Sequence, residues 1–188
     1  MDDESRRGTR RERRQERRVP PPLDEAALRD LALHYAARFA TTQVKLQRYL
    51  ARKLKERGWA GAGPADIEAL AGRLVALGYV NDAAFAAMKG RAMAARGLGQ
   101  RRVADALHAA GVAPEDRGDA PDEQAALATA LAYARRKRLG PFARVPSDDP
   151  ASRQKALAAL LRAGHAMNVA RAILAARNAE DAERLISE

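Results

Sequence analysis

No cysteine occurs anywhere in the 188 residues. That excludes disulfides, cysteine nucleophiles and thiolate metal sites, and it fits a cytoplasmic protein. Aromatic residues make up 4% of the chain, too few for the base-stacking platforms of sequence-specific single-strand readers. No run approaches the ~18 apolar residues of a membrane span. The N-terminal arginines are followed by no apolar stretch, so no secretory signal is expected either. Catalytic patterns are missing as well. His34, His108 and His165 stand alone, without His-x-x-x-His or His-x-Glu spacing, which leaves zinc hydrolysis unsupported. No Gly-x-x-x-x-Gly-Lys-Ser/Thr loop is present, and Gly97-Leu98-Gly99 is too short to replace one. Asp66, Glu68, Asp82 and Asp105 suggest helix starts or surface groups rather than paired catalytic carboxylates. The expectation is a protein that is not an enzyme and needs neither cofactor nor metal.

What the chain has is positive charge and alanine. The formal net charge is +10, and residues 1–22 carry eight arginines against five acids, so most of the excess lies in the body. Such a balance points to nucleic acid or an acidic protein surface as partner. Residues 1–22 mix Arg, Glu and Gln, close on Pro20-Pro21-Pro22 and offer almost nothing apolar, so they are expected to be a disordered or transiently helical tail whose arginines could hold phosphate loosely. From residue 23 onward alanine and leucine dominate, while Val, Ile and Thr are scarce and nowhere alternate with period two. The predicted fold class is all-α.

Local signals divide that body into helices. Leu23 and Leu28 bracket Asp24 as a hydrophobic staple, predicting a first helix over 24–39 and a second over 42–57. Pro64 is placed just inside a third helix that Gly78 ends, and Asn81 caps a fourth through residue 96. A fifth runs from Gly99 or Gln100 to Ala110; Pro114, Gly118 and Pro121 then leave room for at most a short helix. Helices resume over 122–138, 151–163 and 167–177, and the acidic residues from Asn178 onward are expected to fray. The aromatics Tyr35, Phe39, Tyr49, Tyr79 and Phe85 fall at core spacing.

Superposed on these helices is a period. Leu54 to Gly58, Leu107 to Gly111 and Leu160 to Gly164 are three Leu-x-x-x-Gly endings whose glycines stand 53 residues apart. Ahead of them stand Gln47-Arg48, Gln100-Arg101 and Arg153-Gln154, then Leu50, Val103 and Ala156. Equal spacing of this length predicts tandem three-helix units stacked into an elongated, curved array that presents a surface. The units are drawn at residues 23–80, at 81–121 with a shortened third helix, and at 122–177, followed by the acidic end 178–188.

Cations mark that surface. Lys45, Arg48, Arg52 and Lys55 form one stripe at 100° per residue, opposite Leu46, Leu50 and Leu54. Lys89, Arg91, Arg96, Arg101 and Arg102 bracket Gly97-Leu98-Gly99, with the last two in the first turn of a helix, where the macrodipole disfavours cations. Free N–H groups at that helix start, together with the arginines, predict a seat for phosphate or carboxylate. Arg153, Lys155 and Arg162 keep the charge in the last unit, without the glycine turn. Arg135, Arg136, Lys137 and Arg138 end a helix, where positive charge complements the dipole.

Gly78-Tyr79-Val80-Asn81-Asp82-Ala83-Ala84-Phe85-Ala86, then Arg96-Gly97-Leu98-Gly99, then Leu107 to Gly111 and Val112, taken in this order, resemble the central signature of RecX, the family of bacterial regulators of RecA. Arg38, Thr42, Lys45-Leu46 and Tyr49-Leu50 look like the family's first repeat, and Arg153 to Gly164 with His165, Val169 and Ile173 is similar to its last. The resemblance spans residues 25–177 and implies tandem three-helix repeats, no catalysis, and binding along the groove of the RecA–DNA filament in recombination, repair and the SOS response. On that reading Lys45, Arg48, Arg52, Lys89, Arg91, Arg96, Arg101, Arg102, Arg153, Lys155 and Arg162 contact the RecA filament or DNA phosphates, and the protein acts as a cytoplasmic monomer. The chain departs from the pattern at Lys45, where the family usually has Glu, and at His165, which replaces a common aromatic. Two other readings fit the charge: a free-standing helical DNA-binding protein, and a helical scaffold for an acidic partner.

Overall fold

The computed structural model describes residues 20–145 and 149–187; most of the arginine-rich tail lies outside the described residues. Among them are nine α-helices and no strand, as alanine-rich composition without period-two patterning requires. They are α1 (Glu25–Arg38), α2 (Gln43–Arg57), α3 (Ile67–Ala76), α4 (Asp82–Ala95), α5 (Gln100–Ala109), α6 (Glu123–Lys137), α7 (Pro150–Arg162), α8 (Met167–Ala175) and α9 (Ala179–Arg184). A single 3-10 turn, Pro114–Asp116, occupies the proline-broken stretch after α5, and a second, Gly140–Phe142, follows α6.

Most helix starts are fixed by one side chain. The carboxylates of Asp24 and Asp122 and the amide oxygen of Asn81 accept from the backbone N–H three residues on, at 2.7–2.8 Å, each cap contributing about 1 kcal/mol. The third helix begins later than the Pro64 signal suggests. Asp66 is the cap, accepting from Ala69 N at 2.8 Å, and a side-chain oxygen that satisfies an orphan donor sets the start more firmly than a proline lacking one. The acidic end does not fray: Asn178 caps α9, Ala182 is fully buried, and Glu183 pairs with Arg135 of α6.

Three separate clusters of apolar side chains hold the helices. α1, α2 and α3 enclose Leu28, Leu46, Leu50, Leu70 and Leu74, with Leu23 sealed beneath them. α4 and α5 enclose Phe85, Met93, Val103, Leu107 and Val112. α6, α7, α8 and α9 enclose Leu127, Leu131, Leu160, Val169, Ile173 and Ala182. Leu46, Leu50, Leu160 and Ile173 are entirely removed from solvent, and truncating any of them to alanine costs about 2–5 kcal/mol.

The helices that end in the equally spaced glycines follow one another head to tail. The N-terminus of α5 abuts the C-terminus of α7: Gly99 N donates to Ala163 O at 2.9 Å and Arg101 N to Gly164 O at 3.1 Å. The N-terminus of α2 abuts the C-terminus of α5: Thr42 Oγ1 donates to Ala110 O at 2.6 Å, and Gly111 packs against Val44. At the first junction the carbonyl end of α7 satisfies amides of α5; at the second the Thr42 hydroxyl, not an α2 amide, takes up the carbonyl end of α5.

Candidate functional site

The junction between α2 and α5 is built from Thr42 outward. Its hydroxyl accepts from Lys45 N at 3.1 Å as the cap of α2 while donating to Ala110 O, so one fully buried oxygen satisfies both helix ends. Asp82, at the start of α4, accepts from Gln43 N at 2.9 Å. Burial pushes the Asp82 carboxyl above its ordinary value, the Gln43 hydrogen bond opposes this, and the charge of Asp116 adds to the rise. Arg48 reaches across the same seam, its Nη1 donating to Ala109 O at 2.9 Å.

Beside this seam lies a cleft of about 530 Å³. One wall carries Lys45, Arg48 and Arg52 from α2 and Lys89 from α4. The rest is apolar: the rings of Tyr35, Tyr49 and Phe85, and alanines at the C-terminal end of α5. No carboxylate lines it. Tyr35 and Tyr49 stack with ring centroids 4.1 Å apart and planes 15° from parallel. Lys45 Nζ stands 4.9 Å from the centroid of Phe85, a contact that stabilises the ammonium without neutralising it. Glu56 lies outside the cleft lining but close to Arg52. It takes a hydrogen bond from Lys53 at 2.6 Å and lies 3.6 Å from Arg52. The Lys53 hydrogen bond, with the charges of Lys53 and Arg52 behind it, holds the Glu56 carboxyl below its ordinary value.

The structure thus gathers four of the sequence-predicted contact residues, from two helices far apart in sequence, into one place. The other seven lie outside the cleft, all exposed: Arg91, Arg96, Arg101 and Arg102 around the glycine turn, and Arg153, Lys155 and Arg162 on α7. At 100° per residue Arg91 is turned about 200° from Lys89 along α4, which carries it off the cleft side. Lys55 is likewise exposed and off the cleft.

The anion seat expected at Gly97-Leu98-Gly99 is not available on the backbone. Gly97 and Gly99 are buried, and the donors of Gly99 and Arg101 are already taken by the carbonyls that end α7. A Cβ on Gly99 would collide with the backbone of Gly164, and one on Gly97 with that of Tyr133. The glycines serve close backbone approach. The unfavourable placement of Arg101 and Arg102 at a positive helix end is relieved by the negative end of α7.

Two of the aromatics are not core residues. Phe39 is 49% and Tyr79 56% exposed, whereas Phe85 is buried and Tyr35 and Tyr49 are half-buried against the cleft. That Tyr35, Tyr49 and Phe85 line one cleft is not legible in the sequence, because it depends on how α4 and α5 lie against α1 and α2. His165 is also used structurally: it is 3% exposed, lies 3.1 Å through Nε2 from Gly97 O, and tilts against the Tyr133 ring.

Among the described residues no helix is long and apolar enough to cross a membrane, and no group of His, Asp or Glu is arranged to hold a metal ion. No family model matches the chain. Two curated relatives match nearly its whole length. Regulatory protein RecX of Myxococcus xanthus (strain DK1622) is 35% identical over 181 residues, covering 92% of this chain and 97% of the relative. Regulatory protein RecX of Agrobacterium fabrum (strain C58) is 29% identical over 164 residues, covering 85% and 88%.

Proposed function

The chain belongs to the RecX family of regulatory proteins and is not an enzyme; from that premise we propose that it binds the RecA–DNA filament and restrains recombinase activity. The observation that carries the reading is the convergence of Lys45, Arg48, Arg52 and Lys89 on one cleft without a carboxylate. A surface of that kind is complementary to DNA phosphates and to acidic protein. Arg91, Arg96, Arg101, Arg102, Arg153, Lys155 and Arg162, all exposed, extend the contact beyond the cleft, and the end contacts of α7 with α5 and of α5 with α2 connect the elements that carry many of these cations.

In this reading the residues 23–80, 81–121 and 122–177 are tandem units of a curved array. It works as a cytoplasmic monomer in recombination, repair and the SOS response. Inhibition follows from differential affinity: a binder that prefers one filament state shifts the population toward it. The test is RecA-driven strand exchange and DNA-dependent ATP hydrolysis measured against increasing amounts of the protein. Inhibition at or below equimolar amounts is expected, and no effect at equimolar protein overturns the proposal.

The acid-free cleft also favours a second reading, a free-standing DNA-binding protein. Mobility shifts on bare DNA and on RecA filaments separate the two, since tight binding to bare DNA with no filament preference selects the second.

A further inference from the structure

The two junctions that link α7, α5 and α2 are bonded in different ways. Where α5 meets α7, backbone holds backbone: Gly99 N and Arg101 N donate to Ala163 O and Gly164 O. His165 adds its contact with Gly97 O, and Gly97 lies so close to Tyr133 of α6 that a Cβ would strike its backbone. Gly97, Gly99, Ala163, Gly164 and His165 are all buried, so α5 is gripped from α6 as well as from α7. Where α2 meets α5, no backbone-to-backbone hydrogen bond crosses among the described residues. Side chains make the ties instead. The Thr42 hydroxyl donates to Ala110 O, the Asp82 carboxylate accepts from Gln43 N, and Arg48 donates to Ala109 O.

Two of these ties fall at fixed points. Thr42 holds the end of α5, with Val44 packed on Gly111 beside it. Asp82 holds Gln43 at the start of α4, where the chain itself passes over from α3. Two points define an axis and leave rotation about it free. From this asymmetry we infer that the body of α1, α2 and α3 swings as a unit about that axis, while α4 and α5 stay fixed to the body of α6, α7, α8 and α9. The brace against the swing is Arg48, six residues beyond Thr42 and so about 9 Å along α2, through a hydrogen bond that is itself exposed. The apolar clusters on either side do not merge across the junction, so the motion uncovers little core. The cleft of about 530 Å³ beside the axis gives it room. Lys45, Arg48 and Arg52 stand on the moving side and Lys89 on the fixed side, so the angle of the swing sets the spacing between them. This is a property of the chain alone and does not rest on the filament reading.

Hydrogen exchange and pulsed electron spin resonance of the full chain, without RecA or DNA, test it. The Gln43 amide exchanges when the α2–α5 junction opens, and the Gly99 and Arg101 amides when the α5–α7 junction does. Gln43 is expected to exchange at least about tenfold faster than Gly99 and Arg101, while the amide of Leu50 inside α2 stays protected. Because the chain has no cysteine, spin labels go only where cysteines are introduced. At exposed positions, Ala69→Cys with Ala87→Cys spans the α2–α5 junction and Ala87→Cys with Gln154→Cys the α5–α7 junction. Ala51→Cys with Ala69→Cys lies within one body. The first pair is expected to give a broader distance distribution than the other two, and one broader still in Arg48→Ala, whose folding is verified by circular dichroism. Equal protection of Gln43, Gly99 and Arg101 overturns the inference, as do equal widths for the three pairs or an unchanged width in Arg48→Ala. Loss of protection at Leu50 together with Gln43 also overturns it, since the body would then be unfolding rather than swinging.

Discussion

The imidazole of His165 lies 3.1 Å through Nε2 from the carbonyl oxygen of Gly97, across 68 residues of chain, and joins the turn after α7 to the turn before α5. The ring is 3% exposed and its centroid is 5.8 Å from that of Tyr133. It locks the seam that Gly99 and Gly164 bring into backbone contact.

Burial holds the His165 imidazole below its ordinary value of 6.5, and the Gly97 hydrogen bond offsets part of this. The unfolded chain therefore binds the proton more readily than the folded one between the depressed value and 6.5. Stability rises with pH across that window and is fully present above it. Urea unfolding at pH 7.5 and pH 5.5 is expected to show a lower midpoint at pH 5.5. In His165→Gln, which keeps a donor for Gly97 O but does not titrate, that part of the pH dependence disappears. An unchanged difference between the two pH values in His165→Gln assigns the effect to another group.

Thr42 supplies one oxygen to two helix ends, so its loss is felt twice. Thr42→Ala leaves Ala110 O and Lys45 N without their side-chain partner at a fully buried position. The expected cost is about 2–3 kcal/mol in chemical denaturation. Thr42→Ser keeps both hydrogen bonds and loses a methyl, for about 1 kcal/mol. Equal losses in the two variants would assign the effect to the methyl group.

Glycine substitutions separate the seams from the helix interiors. Gly99 has φ −75°, a conformation open to alanine, but a Cβ there strikes the Gly164 backbone. Gly99→Ala is expected to destabilise by about 1–3 kcal/mol through overpacking alone. Gly72 lies within α3 with nothing near its missing Cβ, and Gly72→Ala is expected to stabilise by about 0.5–1 kcal/mol. Thermal unfolding of the pair, moving in opposite directions, checks both.

What was legible in the sequence was mostly local. Asp24, Asn81 and Asp122 announce helix starts because the bond that fixes each start spans three residues, and the absence of period-two patterning excludes a sheet. The 53-residue spacing marks Gly58, Gly111 and Gly164 but not what each one meets. Gly111 seats Val44 and Gly164 seats Arg102, while Gly58, at the far end of the series, has only the Pro22 Cβ at 3.9 Å. The order in which α7, α5 and α2 abut is a long-range fact, and with it went the correct reading of the glycine turn. Arg101 and Arg102 looked like an anion seat because the partner that satisfies their helix end comes from about 60 residues downstream. At the cleft, the stripe on α2 was visible by periodicity. Its meeting with Lys89 and Phe85 was not, because no local rule places α4 beside α2.

Two sets of cations remain to be ranked, and salt dependence distinguishes what each one touches. The cleft set is Lys45, Arg48 and Lys89; the turn set is Arg96, Arg101 and Arg102. Each triple change to alanine is expected to weaken inhibition of RecA, provided the variants retain the helical signal of the parent. Arg48 also holds Ala109 O, so the cleft triple is compared with Lys45→Ala/Lys89→Ala, which leaves that tie intact. Against double-stranded DNA, each lost phosphate contact lowers the slope of log affinity against log salt by about 0.9. A set that grips DNA in the filament therefore flattens the salt dependence as it weakens binding. A set that grips acidic protein surface weakens binding with a smaller change in slope, because no counterion cloud condensed on DNA is released there. Binding to RecA filaments from about 50 to 200 mM salt, with each triple variant beside the parent, measures both quantities at once. Unchanged affinity in a well-folded turn-set variant would confine the docking surface to the cleft side of the α7, α5 and α2 series.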